Sequence, residues 1–138
     1  MRKSGGIIVY DFDKRELVKK AIEAMKNAYI PYSKFPVGAC VKTSDGAEFT
    51  GNNVENASYG LSMCAERVAL FKAYSEGKRD IVALAVAANV DEPISPCGAC
   101  RQVILELAGK AEVYLSNRDG SKVKKMMPEE LLPYGFEL

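Results

Sequence analysis

The sequence predicts an α/β sandwich built on a mixed five-stranded sheet. Three observations carry that expectation. Segments with helical and strand-like periodicity follow one another in the order helix, strand, strand, helix, strand, helix, strand, strand. The run "IVALAVAA" at 81–88 is apolar throughout, as a strand buried on both faces requires. Only a short turn separates the last two strand-like runs, so they can pair antiparallel but cannot make a parallel crossover, which takes a dozen residues or more.

The first helix is read from "DKRELVKKAIEAMKNAYI", whose apolar pairs fall at 17/18, 21/22, 24/25 and 28/29. Asp13 and Glu16 have the spacing of a capping box at its start, Pro31 ends it, and "PYSKFP" follows as a structured loop. In "VGACVKTSDGAEFTGNNVEN" two strand-like runs flank Ser44-Asp45-Gly46, which predicts a hairpin. "SMCAERVALFKAYSEG" reads as a helix with Ser62 as N-cap and Gly77 as its stop. The buried strand at 81–88 comes next, and the loop "VDEPISP" leads into a further helix, "CGACRQVILELAG", closed by Gly109. "AEVYLSN" and "KVKKM" are the last strands, joined by the turn "NRDG". One domain is expected over residues 1–138, with residues 1–10 as an N-terminal extension.

With 138 residues, 48% of them hydrophobic, the chain can bury a core without disulfide staples. Charged residues make up 27% and the net charge is +1, so composition gives no electrostatic pull toward nucleic acid or a membrane surface. The apolar run near the start is only Ile7 to Val9, too short for a signal peptide, and no segment approaches the ~18 apolar residues of a membrane span. A cytoplasmic protein is expected. There thiols stay reduced, and paired cysteines serve metals or catalysis more often than they staple a fold.

The chain has four cysteines and no histidine. Cys64 and the pair Cys97/Cys100 each fall at the predicted start of a helix, where free backbone N–H groups and the helix dipole favour a thiolate. Two helix starts at one end of an α/β sheet can converge where ligands of such sheets bind. Three thiolates meeting there would hold zinc with one coordination position open, as in a catalytic site. A Cys-x-x-Cys can instead be a redox pair, and a closed structural zinc site would need Cys40 as fourth ligand. Cys40, among small and branched residues of a hairpin strand, reads as core packing. Glu66, two residues after Cys64, is either a carboxylate answering the helix dipole or a base beside a metal-activated water. Cys-x-Glu followed by Pro-Cys-x-x-Cys is the pattern of the zinc-dependent deaminases in its three-cysteine form, which favours the second.

On these motifs, together with "PYSKFPVGA" at 31–39, "NNVENASYG" at 52–60, "ALFKA" at 69–73 and "EELLPYGF" at 129–136, the sequence resembles the small homotetrameric cytidine deaminases. The resemblance covers most of the chain from residue 29 onward. It implies a three-layer α/β/α sandwich and hydrolysis of cytidine and 2′-deoxycytidine to the uridines and ammonia, within pyrimidine salvage. It implies one Zn²⁺ per subunit on Cys64, Cys97 and Cys100, attack of the activated water at C4 of the base, and proton shuttling by Glu66. Three thiolates make the metal site one charge more negative than it is with a neutral imidazole, which lowers the acidity of bound water. The two helix starts offset part of that, and Arg67 is the residue expected to neutralise cysteine sulfur.

For the substrate, the resemblance assigns Asn53 and Glu55 to the ribose 3′-hydroxyl, Phe35 to the face of the pyrimidine and the backbone N–H of Ala65 to its O2. Turn and capping chemistry after the hairpin is the other reading of Asn53 and Glu55. Phe136 matches an aromatic inserted into a neighbouring subunit's pocket, which implies active sites shared within a homotetramer, with Tyr59 at such an interface. Because the chain stops at Leu138, Phe136 is expected to be loosely anchored. The rival readings are a blasticidin S deaminase, which shares the zinc motif, and a nucleic-acid-editing deaminase, which the short "NRDG" turn and the missing histidine oppose. A non-catalytic zinc-stabilised module is the third, and it leaves Glu66, Asn53 and Glu55 without a purpose.

Overall fold

The computed structural model describes residues 2–4, 7–9 and 13–138. The main sheet runs, in spatial order, through Glu48–Asn52, Val37–Thr43, Ile81–Ala88, Glu112–Ser116 and Val123–Met126. β3 (Val37–Thr43) and β4 (Glu48–Asn52) form the expected hairpin. Its turn passes through Gly46 at φ 90°, a left-handed backbone that glycine adopts without steric cost. β3 also pairs antiparallel with β5 (Ile81–Ala88), and β5 pairs parallel with β6 (Glu112–Ser116). The parallel pair is bridged by α3 (Gly98–Leu107), and β7 (Val123–Met126) returns antiparallel to β6. The sheet is therefore mixed and five-stranded, with its last two strands antiparallel.

The extension expected at residues 1–10 includes residues 1, 5, 6 and 10, which lie outside the described ones. Within it Arg2–Ser4 (β1) pairs with Ile7–Val9 (β2) as a separate two-stranded sheet.

Alternation along the strands sorts the core into two layers. Ala39, Val41, Leu84, Val86, Val113 and Leu115 pack with Ala65, Ala69, Leu70 and Ala73 of α2 (Ala65–Ser75) and with Ile104 of α3. Cys40, Ala83, Ala85, Ala87 and Tyr114 face the other way, onto Leu17, Val18 and Ala21 of α1 (Lys14–Ala24). This is the period-two geometry of a pleated strand covered on both faces, and all eight residues of β5 are buried. The side chains facing α1 are mostly small, which lets that helix approach closely.

Local chemistry sets the helix ends. Asp13 caps α1 by accepting the Arg15 N–H at 2.9 Å. Gly77 stops α2 at φ 78°, with its own N–H on Tyr74 O and the Lys78 N–H on Ala73 O, satisfying last-turn carbonyls. The expected N-cap at Ser62 does not form. Val54 and Met63 exchange backbone hydrogen bonds at 2.9 and 3.0 Å, which keeps the chain extended up to Cys64, and the Ser62 hydroxyl instead accepts the Asn56 N–H. The N-cap of α2 is Cys64, and that of α3 is Cys97.

Gly51 fixes how closely α2 lies on the sheet. A Cβ there would stand 2.5 Å from Ala65 O and 2.6 Å from Ala69 N, so helix backbone rests directly on β4. Gly51→Ala is expected to push the first turn of α2 outward and to lower stability by about 1–3 kcal/mol, the usual cost of overpacking. Urea unfolding with parallel zinc analysis checks this, because the displaced turn carries Cys64.

Cys40 is fully buried against α1, and burial pushes its thiol up to about 11. A folded-state value above the unfolded one contributes stability below pH ~9 that is lost as pH rises toward 11. The contribution is on the order of 2 kcal/mol. Urea unfolding of Cys40→Ala across that window is expected to show a shallower alkaline decline than the wild type.

Candidate metal centre and substrate pocket

The two helix starts meet as the sequence predicts. Cys64 precedes the first turn of α2, and Cys97 and Cys100 bracket that of α3. Their three Sγ atoms all lie within 4.8 Å of one another. Cys64 and Cys97 are separated by 3.7 Å, far beyond the ~2.05 Å of a disulfide and close to the ~3.8 Å between two sulfurs sharing a tetrahedral zinc at ~2.3 Å. All four cysteines are free thiols, and Cys40 is in the other core layer, on the α1 face of the sheet. Among the described residues this is the one cluster of ligand-type side chains able to hold a metal. Its donors fit zinc: soft sulfurs, three in number, leaving a coordination position free.

Charge in the cluster is unevenly placed. The Cys64 thiol is lowered to about 5 by hydrogen bonding from Cys100, with further help from Arg67. Cys100 is pushed up because it donates to Cys64 and is buried. Arg67 donates from Nη2 to Cys64 Sγ at 3.4 Å, and its Nε is buried without a protein acceptor. Glu66 is 4% exposed, and burial raises its carboxyl above the ordinary value.

The loop that delivers Cys97 is braced by Arg101. Its guanidinium donates to Pro96 O at 2.9 Å, to Leu131 O at 2.8 Å and to the Ser95 hydroxyl. One side chain thus ties the metal loop to α4 (Pro128–Leu131).

A cavity of about 450 Å³ opens beside the sulfurs, lined by Ser33, Phe35, Val37, Asn53, Glu55, Cys64, Ala65, Glu66, Val86, Ile94, Ser95, Pro96 and Cys97. Its size suits a small molecule. Phe35, Asn53, Glu55 and Ala65 are therefore brought together around one cavity. Asn53 and Glu55 line the cavity and also build the loop beside it, the structural role of their second reading. Asn53 accepts the Val37 N–H and donates to Phe35 O. Glu55 Oε1 accepts the N–H groups of Tyr32 and Ser33 at 3.0 and 3.1 Å, and hydrogen bonding led by Ser33 holds its carboxyl below the usual range.

Phe136 does not line this cavity. It is 68% exposed on the C-terminal tail, and its backbone is held by Gln102 through two hydrogen bonds, which corrects the expected loose anchoring. Tyr59 is 78% exposed and meets the Tyr32 ring edge-on. Ser33, Val37, Val86, Ile94, Ser95 and Pro96 are cavity residues that sequence reasoning missed. Ser95 and Pro96 were findable from their position just before Cys97. Val37 and Val86 reach the site through the β3–β5 pairing, for which the sequence carries no local signal.

Three thiols at paired helix starts, with a buried carboxylate facing the same cavity, define a zinc-dependent hydrolase site on an α/β sandwich. The family model of the cytidine and deoxycytidylate deaminase zinc-binding region matches residues 12–116, and the chain belongs to that family. The cytidine deaminase of Halalkalibacterium halodurans is 54% identical over 90% of this chain and 94% of its own length. That of Sporosarcina psychrophila is 47% identical over 90% and 91%. The crystal structure of cytidine deaminase from Burkholderia pseudomallei superposes with a TM-score of 0.86 at 48% identity, covering 91% of this chain and all of that one. The chain is a zinc-dependent hydrolytic deaminase.

Removing the cation at the sulfurs tests the electrostatics of this centre. Arg67→Ala is expected to fold but to bind zinc about 10–100-fold more weakly, the usual effect of deleting a partner of a metal ligand. Competition with a chromophoric chelator measures this, and wild-type affinity would show that the Arg67–Cys64 contact is immaterial.

Proposed function

We propose that the protein hydrolyses cytidine and 2′-deoxycytidine to uridine and 2′-deoxyuridine, releasing ammonia, with the cavity beside Cys64 as its active site. The observation that carries this reading is the buried Glu66 carboxylate on the wall of the cavity the sulfurs border. A non-catalytic zinc module gives no reason to bury a carboxylate there. The matched relatives are cytidine deaminases, and they do not favour the blasticidin S alternative.

In this reading Cys64, Cys97 and Cys100 hold zinc, which when bound supplies the Lewis acid that makes water nucleophilic near neutral pH. Glu66 takes the proton of the attacking water and delivers it to N3 of the base as C4 becomes tetrahedral. It then passes the water's second proton to the amino nitrogen leaving C4, so that one water is consumed and one ammonia released. Ala65, in the first turn of α2, has a backbone N–H without an intrahelical partner, available to the base's O2. Phe35 packs on the pyrimidine face. Glu55 Oε2, opposite the oxygen that binds the loop, accepts from the ribose 3′-hydroxyl, and the second Nδ2 hydrogen of Asn53 donates to it. Arg67 offsets the charge of the sulfurs.

Phe136 stands outside its own chain's cavity and completes that of a neighbour, so the working form is an oligomer with shared sites, a homotetramer on the resemblance to the small deaminases. The exposed Tyr59 and Phe71 suit subunit contact. Free thiols throughout, and no helix among the described residues long and apolar enough to cross a membrane, suit a cytoplasmic enzyme of pyrimidine salvage.

Glu66→Gln separates metal binding from proton transfer. The variant is expected to keep a full complement of zinc and to lose about 10²–10⁴-fold in turnover, followed by the change in ultraviolet absorbance as cytidine becomes uridine. Wild-type turnover would remove Glu66 from the mechanism, and an inert wild type that holds zinc would favour the module.

A further inference from the structure

We infer that Gln102 is the positioning residue for the C-terminal tail, holding the Phe136 backbone so that its ring is presented to a neighbouring subunit's pocket. This rests on the reading of Phe136 given above and adds the device that aims it. The Gln102 side-chain amide donates from Nε2 to Phe136 O at 3.1 Å and accepts the Phe136 N–H on Oε1 at 3.3 Å. One planar group thus satisfies both backbone polar atoms of a single residue, as a neighbouring strand would, and fixes that residue's direction as well as its place.

The approach to Phe136 is equally specified. Tyr134 has a φ of 55°, a left-handed backbone that a residue of this size rarely takes without a reason. A Cβ on Gly135 would stand 2.1 Å from Leu105 Cδ2 and 3.2 Å from Leu132 Cδ2, so the tail backbone lies flush on α3. Arg101, the residue before Gln102, holds Leu131 O at 2.8 Å. The tail is therefore pinned at both ends by consecutive residues that follow Cys100, while Phe136 itself remains 68% exposed. A backbone tied down on both sides of an exposed phenylalanine is arranged for presentation. The same turn of α3 that supplies a sulfur to its own metal centre would aim the aromatic destined for the next one.

The test is a double-mutant cycle on the zinc-loaded enzyme with cytidine as substrate, comparing wild type, Gln102→Ala, Phe136→Ala and the double variant. Zinc content and thermal unfolding are followed alongside KM and kcat. Gln102→Ala is expected to raise KM about tenfold, with kcat within about twofold and zinc retained, the pattern of a lost binding contact. Phe136→Ala should raise KM at least as much, and the double variant no further, because Gln102 acts through the ring. Gln102→Glu, which keeps the acceptor and loses the donor, should fall between wild type and Gln102→Ala. A raised KM for Phe136→Ala beside a wild-type KM for Gln102→Ala, or effects that multiply in the double variant, would overturn the inference. So would a fall in zinc content that accounts for the Gln102→Ala defect. An unchanged KM for Phe136→Ala would remove Phe136 from the site, and the role of Gln102 with it.

Discussion

Three sulfurs held within 4.8 Å of one another are an electrostatic problem before they are a catalytic asset. As thiolates they repel one another strongly in a half-buried setting, and only a cation, hydrogen-bond donors and helix N-termini oppose that repulsion. Much of the architecture near the site serves this constraint. Gly51 lets α2 lie against the sheet, and the β5–β6 crossover places the start of α3 beside it. Both helices thereby point their positive ends at the cluster. Arg67 adds a full charge at Cys64. A divalent cation then displaces the remaining thiol protons, so metal binding and proton release are coupled.

The substrate wall is assembled from different material. The loop at 32–37 is held by two polar side chains, Asn53 and Glu55, which satisfy its backbone groups from the segment that follows β4. The opposite wall, at 94–97, is held by Arg101. Each wall is thus fixed by a residue that also faces the cavity or follows a metal ligand in sequence. That economy explains how a chain of this length positions a site without long insertions. It also means that substitutions at Asn53 or Glu55 would disturb loop geometry together with any contact to the sugar.

Much of this was legible in the sequence, and the reasons differ between elements. The apolar run of β5, the turn residues at 44–46 and the stop at Gly77 are local signals, and the fold follows them. The metal triad was legible because each cysteine sits at a helix start, a position whose electrostatics are set by a few neighbouring residues. The Ser62 cap was misread because a tertiary contact, the Val54–Met63 bridge, outweighs the local preference of a serine. Val86 and Val37 were invisible as cavity residues because nothing in a buried strand distinguishes a position beside the site from one in the core. Gln102 carried no signal either, since its partner is thirty-four residues away along the chain.

The central claim is that three sulfurs, and not two or four, hold the metal and leave one position for water. X-ray absorption at the zinc edge of the loaded enzyme reads that count directly. Three sulfur scatterers near 2.3 Å with one lighter atom closer to the metal are the predicted result. Four sulfurs would require Cys40 to leave the core and would describe a closed structural site. Two sulfurs would break the triad on which the chemistry depends.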